Sequence, residues 1–168
     1  MEENIFYEGQ VLWSQIDANV HLRHSAYADF CAQARSNMLN KLGLSLEEFN
    51  KRKIGPILFR EELNYLREIG LDERVKVSVV ITKFNTVNSR FSFRHEIFKE
   101  NGVKAAVVLV DGAWMNIRER KLANFPEEWM ELIIQPIFLH MIEHFDFIDI
   151  SHEIGPYIIM NGDYNLGS

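Results

Sequence analysis

Hydrophobic and polar positions change rhythm twice along the chain. "IFYEGQVLW", from Ile5 to Trp13, is rich in β-branched and aromatic residues and predicts a first strand. After a polar run, Tyr27, Phe30, Cys31, Ala34 and Met38 recur at helical spacing. This predicts a long helix, capped by Ser25 and ended by Gly43 as its C′ residue. "SLEEF", Ser45 to Phe49, carries the Ser-x-x-Glu pattern that opens a short second helix, and Pro56 is expected to close that segment.

Past Pro56 the period drops to two. "ILFREELNYL", "RVKVSVVITKFN", "RFSFRHEIFKE" and "KAAVVLVDGAWMNI" read as four strands. Alternation is clean at Val75, Val77, Val79 and Ile81, and again at Phe91, Phe93, His95 and Ile97. The links "GLDE", "TVNS" and "NGV" are hairpin-length, and "ENG" before Val103 is a hairpin turn signal, so the runs are expected to be antiparallel neighbours. A strand, a long helix and four more strands make an α+β domain, with the striped helix packed on one face of the sheet. "PEEWMELII" predicts a helix with Pro126 in its first turn, and a second helix follows Pro136 with Ile137, Phe138, Met141, Ile142 and Phe145 on one side. The closing "SHEIGPYIIMNGDYNLGS" has no settled pattern.

Composition narrows the function classes. The 168 residues suit one domain with a real core, and 47% hydrophobic content excludes a disordered chain. A net charge of −6 argues against a broad nucleic-acid surface. Short basic clusters, Lys51-Arg52-Lys53 and Arg118, Arg120, Lys121, read as solvated faces that could also meet phosphates. The single cysteine, Cys31, cannot form an intrachain disulfide and falls in the apolar stripe of the helix, where a thiol is buried and inert. "MEENIFYEGQ" lacks the apolar segment of a secretory leader, and no apolar run reaches the ~18 residues of a membrane span. The expected location is cytoplasmic.

The candidate chemistry lies in "DANVHLRHSAY", Asp17 to Tyr27, where the first strand meets the long helix. A helix N-terminus offers unpaired N–H groups and the positive end of a dipole, which suit a polarised carbonyl. A carboxylate beside such donors can attack, or activate water, while they hold the developing negative charge. A polar turn in which Asp17 only caps the backbone would use the same residue types.

The run resembles the Asp-x-x-Gly-His-x-Asn-Asn-x-x-Tyr signature of hotdog-fold acyl-CoA thioesterases of the 4-hydroxybenzoyl-CoA thioesterase type. "YADFCAQARSNMLNKLGLS" is similar to that family's central helix, and "ELNYLREIGLDERVKV", "NSRFSFRHEIFKENG" and "AWMNIRERKLANFPEE" resemble its later segments, in collinear order over about residues 5 to 132. The resemblance implies a hotdog fold: an antiparallel sheet of about five strands wrapped around one long central helix. The hotdog domain would occupy residues 1–132 and a partly helical extension residues 133–168. It further implies a homodimer or a dimer of dimers, with active sites at the subunit interface and an acyl-CoA substrate. Asp17 matches the catalytic position, as general base or nucleophile, and the first helical turn around Ser25 to Tyr27 would polarise the thioester carbonyl. His21, Arg23, His24, Ser25, Tyr27, Ser89 and Arg90 are the expected substrate-binding residues, with no metal and no cofactor beyond the coenzyme A of the substrate. Asn88-Ser89-Arg90 also reads, somewhat more simply, as a turn before a strand. The sequence departs from the signature at Val20, where the family has glycine, and at Arg23-His24, where it has Asn-Asn. Valine does not readily adopt the positive φ that glycine allows, so a different loop path is expected.

Three other readings stand beside this one. Enoyl-CoA hydratases of the same fold carry Asp-x-Asn-Pro-x-His, but here His21 follows Asp17 by four positions and no proline follows Asn19. "HMIEH", His140 to His144, has inverted zinc-protease spacing, but it lies within an apolar helical stripe near the end of the chain, where packing is the simpler account. A non-catalytic hotdog protein, binding acyl-CoA or a protein partner, is the reading of a different class.

Overall fold

The structure, a computed structural model, describes residues 4–85 and 88–133. Its elements are β1 (Ile5–Gln10), a 3₁₀ turn (Trp13–Gln15), α1 (His24–Lys41), α2 (Leu46–Arg52), β2 (Ile54–Tyr65), β3 (Arg74–Asn85), β4 (Arg90–Lys99), β5 (Lys104–Asn116) and β6 (Lys121–Leu122). The strands form one antiparallel sheet in the order β1-β3-β4-β5-β2, with the two-residue β6 paired to β5. The sheet curls around α1 in the hotdog arrangement.

Helical and strand periods meet in the core. Ala26, Tyr27, Phe30, Cys31, Ala34, Met38 and Leu39 form the buried face of α1. Val75, Val77, Val79 and Ile81 of β3, with Phe91, Phe93 and Ile97 of β4, are buried on the inner face of the sheet. Each such aliphatic or aromatic side chain contributes about 1.5–3 kcal/mol on leaving water. Tyr7 stacks on Phe30 with centroids 5.3 Å apart, and Asn37 Nδ2 donates to Phe6 O at 2.7 Å, so α1 also holds the edge strand β1. Cys31 is fully buried, and burial pushes its thiol up to about 12, out of reach of thiolate chemistry at neutral pH.

Helix and turn ends follow local chemistry. Gly43 has φ 82°; its N–H bonds Asn40 O while Leu44 N–H bonds Leu39 O, the paired bonds that close a helix through a C′ glycine. Ser45 caps α2 by accepting from Glu48 N. The β4–β5 hairpin turns at Gly102, φ 81°, with Lys99 N bonded to Val103 O. Residues 127–133 are helical, and Pro126 stands just before them, its carbonyl accepting from Trp129 and Met130.

Four expectations need correction. β2 is not the hairpin neighbour of β3; it pairs with β5 at the far edge of the sheet. The link 66–73 instead crosses the end of the sheet, anchored by the fully buried Ile69 and by Leu66 and Arg67 N–H bonds to Ala105 O. A hairpin-length link can span several strands at ~4.8 Å spacing when it runs extended. Pro56 does not close the α2 segment. Lys53, in the left-handed region, ends α2, and Pro56 sits inside β2, an edge strand where a missing N–H costs no ladder bond if it faces outward. The first strand stops at Gln10 rather than Trp13, because Leu12 N turns to Gln15 Oε1 and opens the 3₁₀ turn. Ser25 is not the cap of α1; Arg23 holds that position, and no side chain caps the helix. The second tail helix, "HMIEH" and the extension after residue 133 lie outside the described residues.

Candidate active site

The polar run folds into a tight reversal. Asp17 N bonds His21 O at 2.8 Å and Val20 N bonds Asp17 O at 3.1 Å, while Ile16 and Leu22 pair as an antiparallel bridge. Asp17 Oδ1 accepts from Asn19 N at 2.8 Å and from His21 N at 3.2 Å. The turn is tied to the body of the domain by Leu22 N to Ile69 O, by Arg23 N to Gln15 O and by the His21–Gly70 bridge. Val20 carries φ 63°, in the left-handed region that favours glycine, and its side chain is 62% exposed. The valine bears strain there, about 1–2 kcal/mol for an L-residue.

This geometry leaves one carboxylate oxygen open. Two backbone N–H groups fix Oδ1, and among the described residues Oδ2 carries no hydrogen bond. The helix that follows has no side-chain cap and no acidic residue in its first turn; Arg23 and His24 stand there instead, both exposed. The Arg23 cation at this helix N-terminus opposes the dipole, which is the reverse of what helix stability alone favours. An electronegative group bound at that point would be stabilised by the dipole, by the free N–H groups and by both side chains.

The remaining predicted residues divide between two places. His21 Nε2 lies 3.3 Å from Glu68 Oε2, and Arg23 pairs loosely with Asp29 at 3.8 Å, both as partly exposed contacts worth at most about 1 kcal/mol. Ser25 is exposed on the first turn. Tyr27 is buried edge-on against Tyr65 at 5.1 Å. Burial first, then the fields of Tyr65 and Asp17, push its hydroxyl up to about 12, so it stays protonated at neutral pH. Ser89 and Arg90 lie elsewhere. β1 ends beside Arg74 at the start of β3, whereas Ser89 and Arg90 follow the other end of β3, opposite Asn85. The Asp17 turn, bonded to Ile69 and Gly70, sits at the first end. Ser89 is fully buried at φ 54°; its Oγ accepts from Phe125 N at 2.8 Å and its carbonyl from Trp114 N at 3.0 Å. Arg90 lies over the Phe59 ring at 5.0 Å. One protomer therefore does not bring Ser89 and Arg90 to Asp17.

A family model for the thioesterase-like superfamily matches residues 11–133, a span that includes the Asp17 turn, α1 and all of the sheet from β2 onward. The chain belongs to that superfamily. No curated protein sequence matches it. Among solved structures it is similar to a DHNA-CoA thioesterase from Staphylococcus aureus, at 23% identity and TM-score 0.76 over 84% of this chain and 95% of that one. A hypothetical Staphylococcus aureus protein in complex with CoA aligns at 22% identity and TM-score 0.75 over 96% and 98% of the two chains. A 1,4-dihydroxy-2-naphthoyl-CoA thioesterase from Synechocystis aligns at 22% and 0.68 over 76% and 93%. At these identities the likeness establishes the hotdog fold. The 4-hydroxybenzoyl-CoA type is not singled out within the thioesterase-like superfamily.

Glu68 and Tyr65 were absent from the site read in the sequence. They reach the turn through the β2–β3 crossover, and no local pattern marks residues brought together from that distance. Among the described residues no cluster of three or more His, Cys, Asp or Glu side chains could hold a metal ion, and no helix is long and apolar enough to cross a membrane.

Proposed function

We propose that the protein hydrolyses acyl-CoA thioesters at the Asp17 turn, with Asp17 as general base or nucleophile. The observation that carries this reading is the held carboxylate beside an uncapped helix start. Backbone donors orient Asp17 and leave Oδ2 for water or the thioester carbon. The N–H groups at the start of α1 receive the carbonyl oxygen as it becomes an oxyanion, and on the same side Arg23 adds positive charge and His24 a hydrogen-bonding ring. His21, Ser25 and the Tyr27 hydroxyl surround this point as binding groups, and coenzyme A enters as part of the substrate.

The site is completed by a second copy of the chain, as a homodimer or a dimer of dimers. β2 supports this arrangement: it is a 12-residue edge strand paired on one side, with Leu58 and Phe59 exposed. Pairing there would give the β3–β4 turn of one subunit, with Arg90, a route to the Asp17 turn of the other. The non-catalytic alternative loses one support, since Val20 points to solvent rather than filling the space beside Asp17.

Thiol release from a panel of aryl, short, medium and long acyl-CoAs tests the proposal, with equilibrium binding of the same compounds measured alongside. Turnover of at least one class is expected. Tight binding without release of thiol would replace hydrolysis with a binding role.

A further inference from the structure

A partly open cleft of about 280 Å³ lies between the C-terminal half of α1, α2 and the inner faces of β2, β4 and β5. Leu39, Leu44, Phe49, Phe91, Phe93 and Trp114 wall it, with Leu46 and Leu58 exposed at its rim. The rings form a continuous aromatic surface: Phe91 lies 5.0 Å from Phe93 and 5.4 Å from Trp114, and Trp114 lies 5.4 Å from Phe49. The lining of the cleft is mainly apolar, with Ser36 and Asn40 as neutral polar residues and Arg35 as the one charged residue. Arg35 is eleven positions past the start of α1, roughly 16 Å along the helix axis, so the cavity is separate from the Asp17 turn.

The partner of Arg35 is unusual for a half-buried cation. Its Nη1 lies 3.2 Å from His95 Nε2, and His95 Nδ1 lies 3.1 Å from Val108 O. A carbonyl only accepts, so Nδ1 carries the hydrogen and Nε2 is the bare nitrogen that accepts from Arg35. His95 is fully buried, and burial followed by the Arg35 charge pulls it down to about 4, which keeps the ring neutral. Arg35 is thus fixed in place by a neutral group. Among the described residues it forms no ion pair; Glu61 reaches it only as a distant field. An arginine drawn partly out of water normally meets a carboxylate, because five N–H donors and a full charge are costly to leave uncompensated.

We propose that this cavity binds a small free carboxylic acid, aryl or medium-chain alkyl, with its carboxylate on Arg35 and its apolar body against Phe91, Phe93 and Trp114. A carboxylate supplies the charge and the two acceptors that the guanidinium lacks. The volume falls just under the ~300–1,000 Å³ of drug-sized pockets, which restricts the body to one ring or a moderate chain. A cationic ligand is repelled, and a purely apolar one leaves the guanidinium desolvated. The inference stands on Arg35 and the aromatic wall and does not depend on hydrolysis at Asp17.

Calorimetric titration of the full chain with sodium octanoate, sodium benzoate and the neutral 1-octanol tests it, together with amide chemical-shift mapping on the native protein. At least one acid is expected to bind, with the largest shifts around Ala32, Phe91 and Phe93. Arg35→Met, which keeps the stem and removes the charge, should weaken that acid at least about tenfold while changing octanol affinity by less than about twofold. Ser36→Phe, which fills the cavity from α1, should weaken both ligands. Absence of binding by either acid to the native protein overturns the proposal. So do shifts centred on Asn19 and His21, or acid affinity unchanged in a folded Arg35→Met.

Discussion

Val20 and Ser89 share a backbone state and little else. Both are non-glycine residues in the left-handed region, at φ 63° and 54°, and both follow a strand-like segment in a tight turn. Around Val20 the turn is exposed, and the side chain it presents, Asp17, has one oxygen bound by backbone N–H groups and the other open. Around Ser89 the turn is buried, and the hydroxyl and carbonyl both accept hydrogen bonds, from Phe125 and Trp114. The same strained backbone therefore sits in two different chemical settings. What separates the two turns is whether a polar group is left without a partner where a ligand can reach it.

The contrast can be broken most forcefully at Asp17. Asp17→Asn keeps the Oδ1 acceptor for Asn19 and His21 but removes the base, so kcat for a hydrolysed thioester should fall about 10²–10⁴-fold with the melting temperature unchanged. The next effect lies on the structural side. His95 is pulled from 6.5 to about 4 by burial, so the unfolded chain binds its proton first as pH falls. Its contribution is complete above about pH 6.5 and is lost as pH drops through the folded value, on the order of 3 kcal/mol in all. Urea titrations between pH 7 and pH 4 should show that slope, and His95→Gln, with one donor and one acceptor but no titration, should flatten it. Ser89→Ala leaves Phe125 N buried without its acceptor and should cost about 1–3 kcal/mol in denaturant unfolding. Smallest is Val20→Gly, which relieves the left-handed valine and should stabilise the protein by about 1 kcal/mol after the added flexibility of the unfolded chain.

Much of this division was legible in the sequence, and the illegible part has a physical pattern. The stripe of α1, the Gly43 ending, the Ser45 cap and the alternation of β3 and β4 are all local, fixed within a few residues by period and turn chemistry. Asp17 was visible for the same reason, since its acceptor role is confined to a turn of five residues. The partner of β2 was not, because a short link limits reach without choosing a neighbour. The bond that occupies the Ser89 hydroxyl was not legible, because its donor, Phe125, lies 36 positions away. His95 read as one more inward position of a strand, and nothing near it in sequence signals Arg35, 60 positions earlier. Pairings of that separation belong to the fold and not to any window of the chain.

The most direct test measures turnover and melting temperature on the same samples of native protein, Asp17→Asn and Ser89→Ala. A crossed pattern is predicted: Asp17→Asn folded and inactive on the thioester that the native protein hydrolyses, Ser89→Ala less stable but, below its transition, still active. Native-rate thiol release by a folded Asp17→Asn would contradict the account and remove the chemistry from that turn.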